Sequence, residues 1–173
     1  MTLEQAKPWV GAQWSAGSRI LILGESWYGK EQTIASAIED WIERRKPDWF
    51  FSRVFNTCSD YRASECSDAE RRGFWETVAF HNFVYWSVGI SRDDRPTKRD
   101  YARAEGLLAD ELQRQSPRGV WILGKGQGQH SGRIVEASRI VYEIAPHPCS
   151  RKGATTALLR ESWVRLQQRV QGA

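Results

Sequence analysis

Four short apolar runs set the limits on what this chain can fold into: Arg19–Leu23, Phe80–Trp86, Gly119–Gly124 and Arg139–Ala145. Each is rich in β-branched or aromatic side chains and bounded by Gly, Pro or polar residues, which is how strands read. Their apolarity is near-continuous rather than alternating, so both faces must be covered, as in a parallel sheet. Helical periodicity fills the intervals. Thr33 to Arg45 carries Ile34, Ala37, Ile38, Trp41 and Ile42 on one stripe before Pro47. Asp68 to Val78 has Phe74, Trp75 and Val78 as its apolar face, and Thr97 to Gln115 spaces Tyr101, Ala104, Leu107, Leu108 and Leu112 behind Thr97 as N-cap. Residues 154–170 carry Ala157, Leu158, Trp163, Leu166 and Val170. Strands alternating with helices predict an α/β fold, a three-layer α/β/α sandwich on a four-stranded parallel sheet, as one domain over residues 1–173. Residues 47–67 read as a long, partly ordered excursion.

Composition narrows the setting. With 40% hydrophobic and 27% charged residues the chain can bury a core. No apolar run approaches the roughly 18 residues of a membrane span. Met1 to Gln13 lacks the apolar stretch of a secretory signal, so a cytoplasmic location is expected. Cys58, Cys66 and Cys149 are too few and odd in number for a disulfide framework. Residues 1–94 net −3 and residues 95–173 net +7, against +4 for the whole. A basic second half suits a polyanion such as nucleic acid, or simply a solubilising surface. Nine Trp exceed ordinary usage; most belong in the core, with some left to stack on bases.

In a parallel sheet, ligands bind beyond the carboxyl ends of the strands. There the sequence places Gly24-Glu25-Ser26-Trp27-Tyr28-Gly29, then His81 and Asn82, then Gly124-Lys125-Gly126-Gln127-Gly128, and finally Ala145-Pro146-His147-Pro148-Cys149-Ser150-Arg151. Each has an ordinary reading by itself: a capped turn for the first, a stiff loop histidine between prolines for the last.

Together, Gly24-Glu25-Ser26-Trp27-Tyr28, His81-Asn82-Phe83-Val84 and His147-Pro148-Cys149-Ser150-Arg151 resemble the motifs of the uracil-DNA glycosylase superfamily, over roughly residues 18–165. The resemblance implies a monomeric DNA glycosylase that flips a pyrimidine out of single- or double-stranded DNA. It implies Glu25 as the carboxylate that orients water or stabilises the sugar cation, and His147 as the group at the departing base's carbonyl. Asn82 would read the base edge and Tyr28 would crowd position 5. Arg151 would fill the gap left by the flipped nucleotide. Ser26 and Ser150 would contact phosphate. Lys125 and Lys152 lie in the same loops and add phosphate attraction. Trp27 stands where these proteins have proline, and Cys149 where they have serine, which leaves the base open: uracil, or a modified cytosine as in some bacteriophage DNA, excised in defence. Three cysteines cannot supply an iron–sulfur cluster with four thiolates, and neither metal nor cofactor is expected.

The competing readings are weaker. Ile22-Leu23-Gly24-Glu25-Ser26 is similar to the nucleophile block of Gly-Asp-Ser esterases, which would pair Ser26 with His147. Ile144 stands where that family needs Asp, with Glu143 one residue further off. Gly124-Lys-Gly-Gln-Gly128 puts Gln129 where a dinucleotide loop has its third glycine. Pro148-Cys149 lacks the second cysteine of a zinc deaminase. A DNA-binding protein of this fold without turnover is the remaining alternative.

Overall fold

The computed structural model describes residues 7–28, 33–89, 94–150 and 153–172. In chain order the elements are β1 (Trp9–Val10), β2 (Ile20–Gly24), α1 (Ile34–Ile42), α2 (Trp49–Cys58), α3 (Asp68–Glu76), β3 (Ala79–Asn82), α4 (Lys98–Gln115), β4 (Gly119–Leu123), α5 (Lys125–Ala137), β5 (Val141–Ala145) and α6 (Thr156–Gln171). The sheet order is β1-β3-β2-β4-β5. The predicted four parallel strands are present, but the sheet has five: β1 pairs antiparallel with β3, Trp9 opposite Phe80. Two residues leave no periodic signal, so this edge strand is invisible to pattern reading. Its anchor is tertiary: the Trp9 indole N–H donates to the Trp75 carbonyl (2.8 Å).

Every residue of β2, β3 and β4 is buried, as near-continuous apolarity requires. Alternate side chains feed two cores. Ile20, Ile22, Phe80, Trp121 and Leu123 pack with α1, α2, α3 and α6. Leu21, Leu23, Ala79, Val120 and Ile122 pack with α4 and α5. Helices thus cover both faces of the sheet. Six of the nine Trp are buried, and the first core is an aromatic lattice of edge-on pairs such as Phe51–Trp75 (5.5 Å, 89°) and Phe51–Phe80 (5.6 Å, 75°). Among the described residues no helix is long and apolar enough to cross a membrane.

The N-terminus of α4 is a capping box, Thr97 accepting from the Asp100 N–H while Asp100 accepts from the Thr97 N–H. Ser67 and Glu70 repeat it on α3. Two helices lie where none was read. In α2, Asp48 caps the N-terminus and Phe51, Val54 and Phe55 are buried at helical spacing, so the 47–67 excursion is half helix. The rest of it is tied down by Arg71, whose buried guanidinium donates to the carbonyls of Ile42 and Cys66. In α5, Gly126, Gly128 and Gly132 each cost the helix about 1 kcal/mol relative to Ala and hide it from propensity. The structure shows the compensation: a Cβ on Gly128 would lie 2.8 Å from Ile144 Cγ2. Glycine there lets α5 settle onto β5.

Candidate functional site

The site grows from the ends of β2, β3 and β5. Beyond Gly24 and Asn82, which pair in register, the two chains stay bonded: Phe83 N–H to the Gly24 carbonyl (2.8 Å), Val84 N–H to the Glu25 carbonyl (2.9 Å) and Val88 N–H to the Trp27 carbonyl (3.1 Å). The loop carrying Glu25 is therefore backbone-clamped. The predicted second strand ends at Asn82, and Phe83–Trp86 belong to this clamp rather than to the sheet.

Glu25 is the electrostatic centre. Its carboxylate is 12% exposed. Oε1 accepts from the Tyr101 hydroxyl (2.8 Å) and Oε2 from Arg95 Nη1 (3.1 Å). Arg95 also reaches the Tyr28 hydroxyl (3.4 Å). For Arg95, partial burial favours loss of the proton, but Tyr28 and Glu25 outweigh it and hold the guanidinium above its ordinary value. A Cβ on Gly126 would lie 4.0 Å from Glu25 Oε1, so the carboxylate sits beside the first turn of α5, where backbone N–H groups favour negative charge.

Asn82 is 5% exposed, and its backbone N–H donates to the His81 ring at Nδ1 (2.7 Å). A Cβ on Gly24 would fall well inside van der Waals contact of Asn82 Oδ1; the missing side chain at 24 makes room for the amide at 82.

His147 is mostly buried, its ring 5.6 Å from that of Phe50. The Cys149 backbone N–H donates to Nδ1 (3.2 Å), so the proton of the neutral ring sits on Nε2. Burial pushes its pKa below the ordinary imidazole value, against the nearby Glu25 carboxylate and with the help of Arg95. The Ser150 N–H closes the turn onto the His147 carbonyl (2.8 Å). A Cβ on Gly124, whose φ is +137°, would lie 3.9 Å from His147 Cβ, which brings the histidine against the start of α5.

The remaining expectations fare differently. Ser26 lies in the clamped loop, its Oγ buried and without a partner among the described residues. It makes no bond to His147, whose Nδ1 is taken by the backbone, and Glu143 is paired with Arg165 and Arg169 of α6 (3.5 and 3.3 Å); no Ser–His–acid relay is assembled. Lys125 is the exposed first residue of α5. Arg151 and Lys152 lie outside the described residues. Arg95, Tyr101 and Phe50 reach the site although the sequence marked none of them as a site residue. Tyr101 sits at a core-facing position of α4, and no local pattern distinguishes a tyrosine that only packs from one whose hydroxyl finds a carboxylate. Comparison of the chain with protein-family models and with curated proteins gives no match in either.

Proposed function

We propose that the protein is a DNA glycosylase that hydrolyses the bond between deoxyribose and uracil or a related pyrimidine, leaving an abasic site. One observation carries the reading: the carboxylate of Glu25, the buried amide of Asn82 at the end of β3 and the imidazole of His147, its proton on Nε2, share the carboxyl end of one sheet. Breaking the C1′–N1 bond sends its electron pair into the base and leaves positive charge on the sugar. The His147 Nε2–H faces the base carbonyl that gains negative charge, and Glu25 faces the sugar cation and the attacking water. Fixed groups aimed at both ends of a charge separation stabilise its transition state. Each Glu25 oxygen has one donor among the described residues, and a carboxylate oxygen has a second lone pair to offer water. The amide of Asn82 offers one acceptor and one donor in a plane, which matches the carbonyl and N–H of uracil. Tyr28, held by Arg95, narrows the space at position 5. The base must leave the stack to be reached, and the basic residues 95–173 hold the phosphates.

The test is a panel of oligonucleotides bearing uracil, thymine, cytosine, and hydroxymethylated or glucosylated cytosine, cleaved with alkali after incubation. Abasic sites at uracil are expected, and Glu25→Gln should bind the DNA but turn over on the order of 10² to 10⁴ more slowly. Release of a bulky cytosine instead would turn Tyr28 away from the base and make the role defence. No abasic site from any member, or full rate in Glu25→Gln, would refute the reading.

A further inference from the structure

We propose that Tyr101 is a positioning residue for Glu25, its hydroxyl fixed in place by a stack of three rings contributed by three different parts of the fold. This rests on the reading of Glu25 above. The Tyr101 ring lies nearly parallel to Phe83, just beyond β3 (5.8 Å, 16°), and to His130 on α5 (4.6 Å, 22°). The His130 Nδ1 is in turn 3.5 Å from Glu105 on α4. A ring stacked in this way cannot swing its hydroxyl elsewhere without unpacking α4 from α5. The hydroxyl donates to Glu25 Oε1 at 2.8 Å.

The other donor is a weaker anchor. Arg95 is 66% exposed, and a solvated ion pair on a long, flexible side chain fixes little. Fixing the carboxylate therefore falls to Tyr101. Its phenol stays protonated through the neutral range, because burial, the bond to Glu25 and the Glu25 charge all raise its pKa. It is a permanent donor, so Glu25 presents its remaining lone pairs in one orientation.

Tyr101→Phe keeps the stacking ring and deletes only the hydroxyl. With protein in excess over a uracil-bearing oligonucleotide, the single-turnover rate should fall about 10- to 100-fold, the loss of one hydrogen bond to a charged group, with affinity for the oligonucleotide little changed. A second measurement needs no turnover. In protein labelled with ¹³C at glutamate carboxyls, the resonance that disappears in Glu25→Gln should change its chemical shift in Tyr101→Phe, because the carboxylate has lost the phenol donor. His130→Ala, which loosens the stack but keeps the hydroxyl, should move that resonance the same way by less. Wild-type rate and an unmoved Glu25 resonance in Tyr101→Phe would overturn the proposal. A moved resonance in a protein that releases no base from any oligonucleotide would support the positioning role while removing the glycosylase reading.

Discussion

Gly24→Ala should damage the site through Asn82 and through little else. The added Cβ would lie 3.5 Å from Asn82 Cγ and 3.2 Å from Phe80 Cζ, and well inside contact of Asn82 Oδ1. The backbone cannot yield cheaply, since Gly24 pairs with Asn82 and its carbonyl is bonded to the Phe83 N–H. The amide must retreat by about 1 Å to reach ordinary contact, which forces it off its rotamer. Crowding of this kind costs about 1–3 kcal/mol. Removing a glycine from a strand returns about 0.5–1 kcal/mol, so the net loss is at most about 2.5 kcal/mol. In a chain of 173 residues that lowers the melting temperature by at most about 10 °C. The decisive assay is a double-mutant cycle by urea denaturation. In an Asn82→Ala background the obstacle is gone, only the Phe80 contact remains, and Gly24→Ala should be close to neutral. A coupling of about 1 kcal/mol or more is expected, within the range found for touching residues. Additive effects would refute the argument that position 24 is empty for the sake of the amide. So would a Gly24→Ala protein that keeps full activity while Asn82→Ala has lost it.

Ser26→Ala should cost only part of the activity, and a serine-directed phosphonylating reagent should not label the protein; stoichiometric labelling at Ser26 would bring back the esterase reading. His147 gives a pH signature. Its folded-state pKa is depressed by burial below the reference value of 6.5, so in the window between the two values the unfolded chain binds more protons and stability rises with pH. The wild-type urea midpoint should fall as pH drops below about 6.5, and His147→Asn should remove that portion of the fall; identical pH profiles would contradict the burial argument. If Lys125, Arg151 and Lys152 meet phosphates, neutralising each should lower the slope of log affinity against log salt by roughly 0.7–0.9. A triple variant with an unchanged slope would move the DNA-facing surface elsewhere.

What was legible in the sequence had strong periodicity or local chemistry. The strands β2, β4 and β5 fall within two residues of the apolar runs, because buried parallel strands must be apolar on both faces. Thr33 and Thr97 cap the helices that the stripes predict. The aromatic-rich run of α2 reads more like strand than helix, although Asp48 with Phe51, Val54 and Phe55 carries a capping and spacing signal that locates it. In α5 the glycines that permit close packing on β5 also erase helix propensity. The residues around Glu25 divide the same way. Glu25, Asn82 and His147 stand at strand ends, where topology singles them out. Arg95 and Tyr101 lie some seventy residues further along the chain, and only the packing of α4 on the sheet brings them to the carboxylate.

That arrangement solves a physical problem posed by the chain itself. A mostly buried carboxylate loses its hydration and is costly unless the protein supplies donors. Among the described residues, the donors to Glu25 are not from its own loop, whose Tyr28 hydroxyl accepts from Arg95. The donors come from the opposite side of the clamp, one neutral and locked, one charged and solvated. The neutral donor holds Glu25 in place without cancelling its charge. The charged one, being 66% exposed, can leave the carboxylate for solvent at little cost. A site built from two buried cations would have bound the carboxylate more tightly and left less negative potential in the cleft. The division between Tyr101 and Arg95 thus holds the Glu25 carboxylate with a buried neutral donor on one oxygen and a solvated cation on the other.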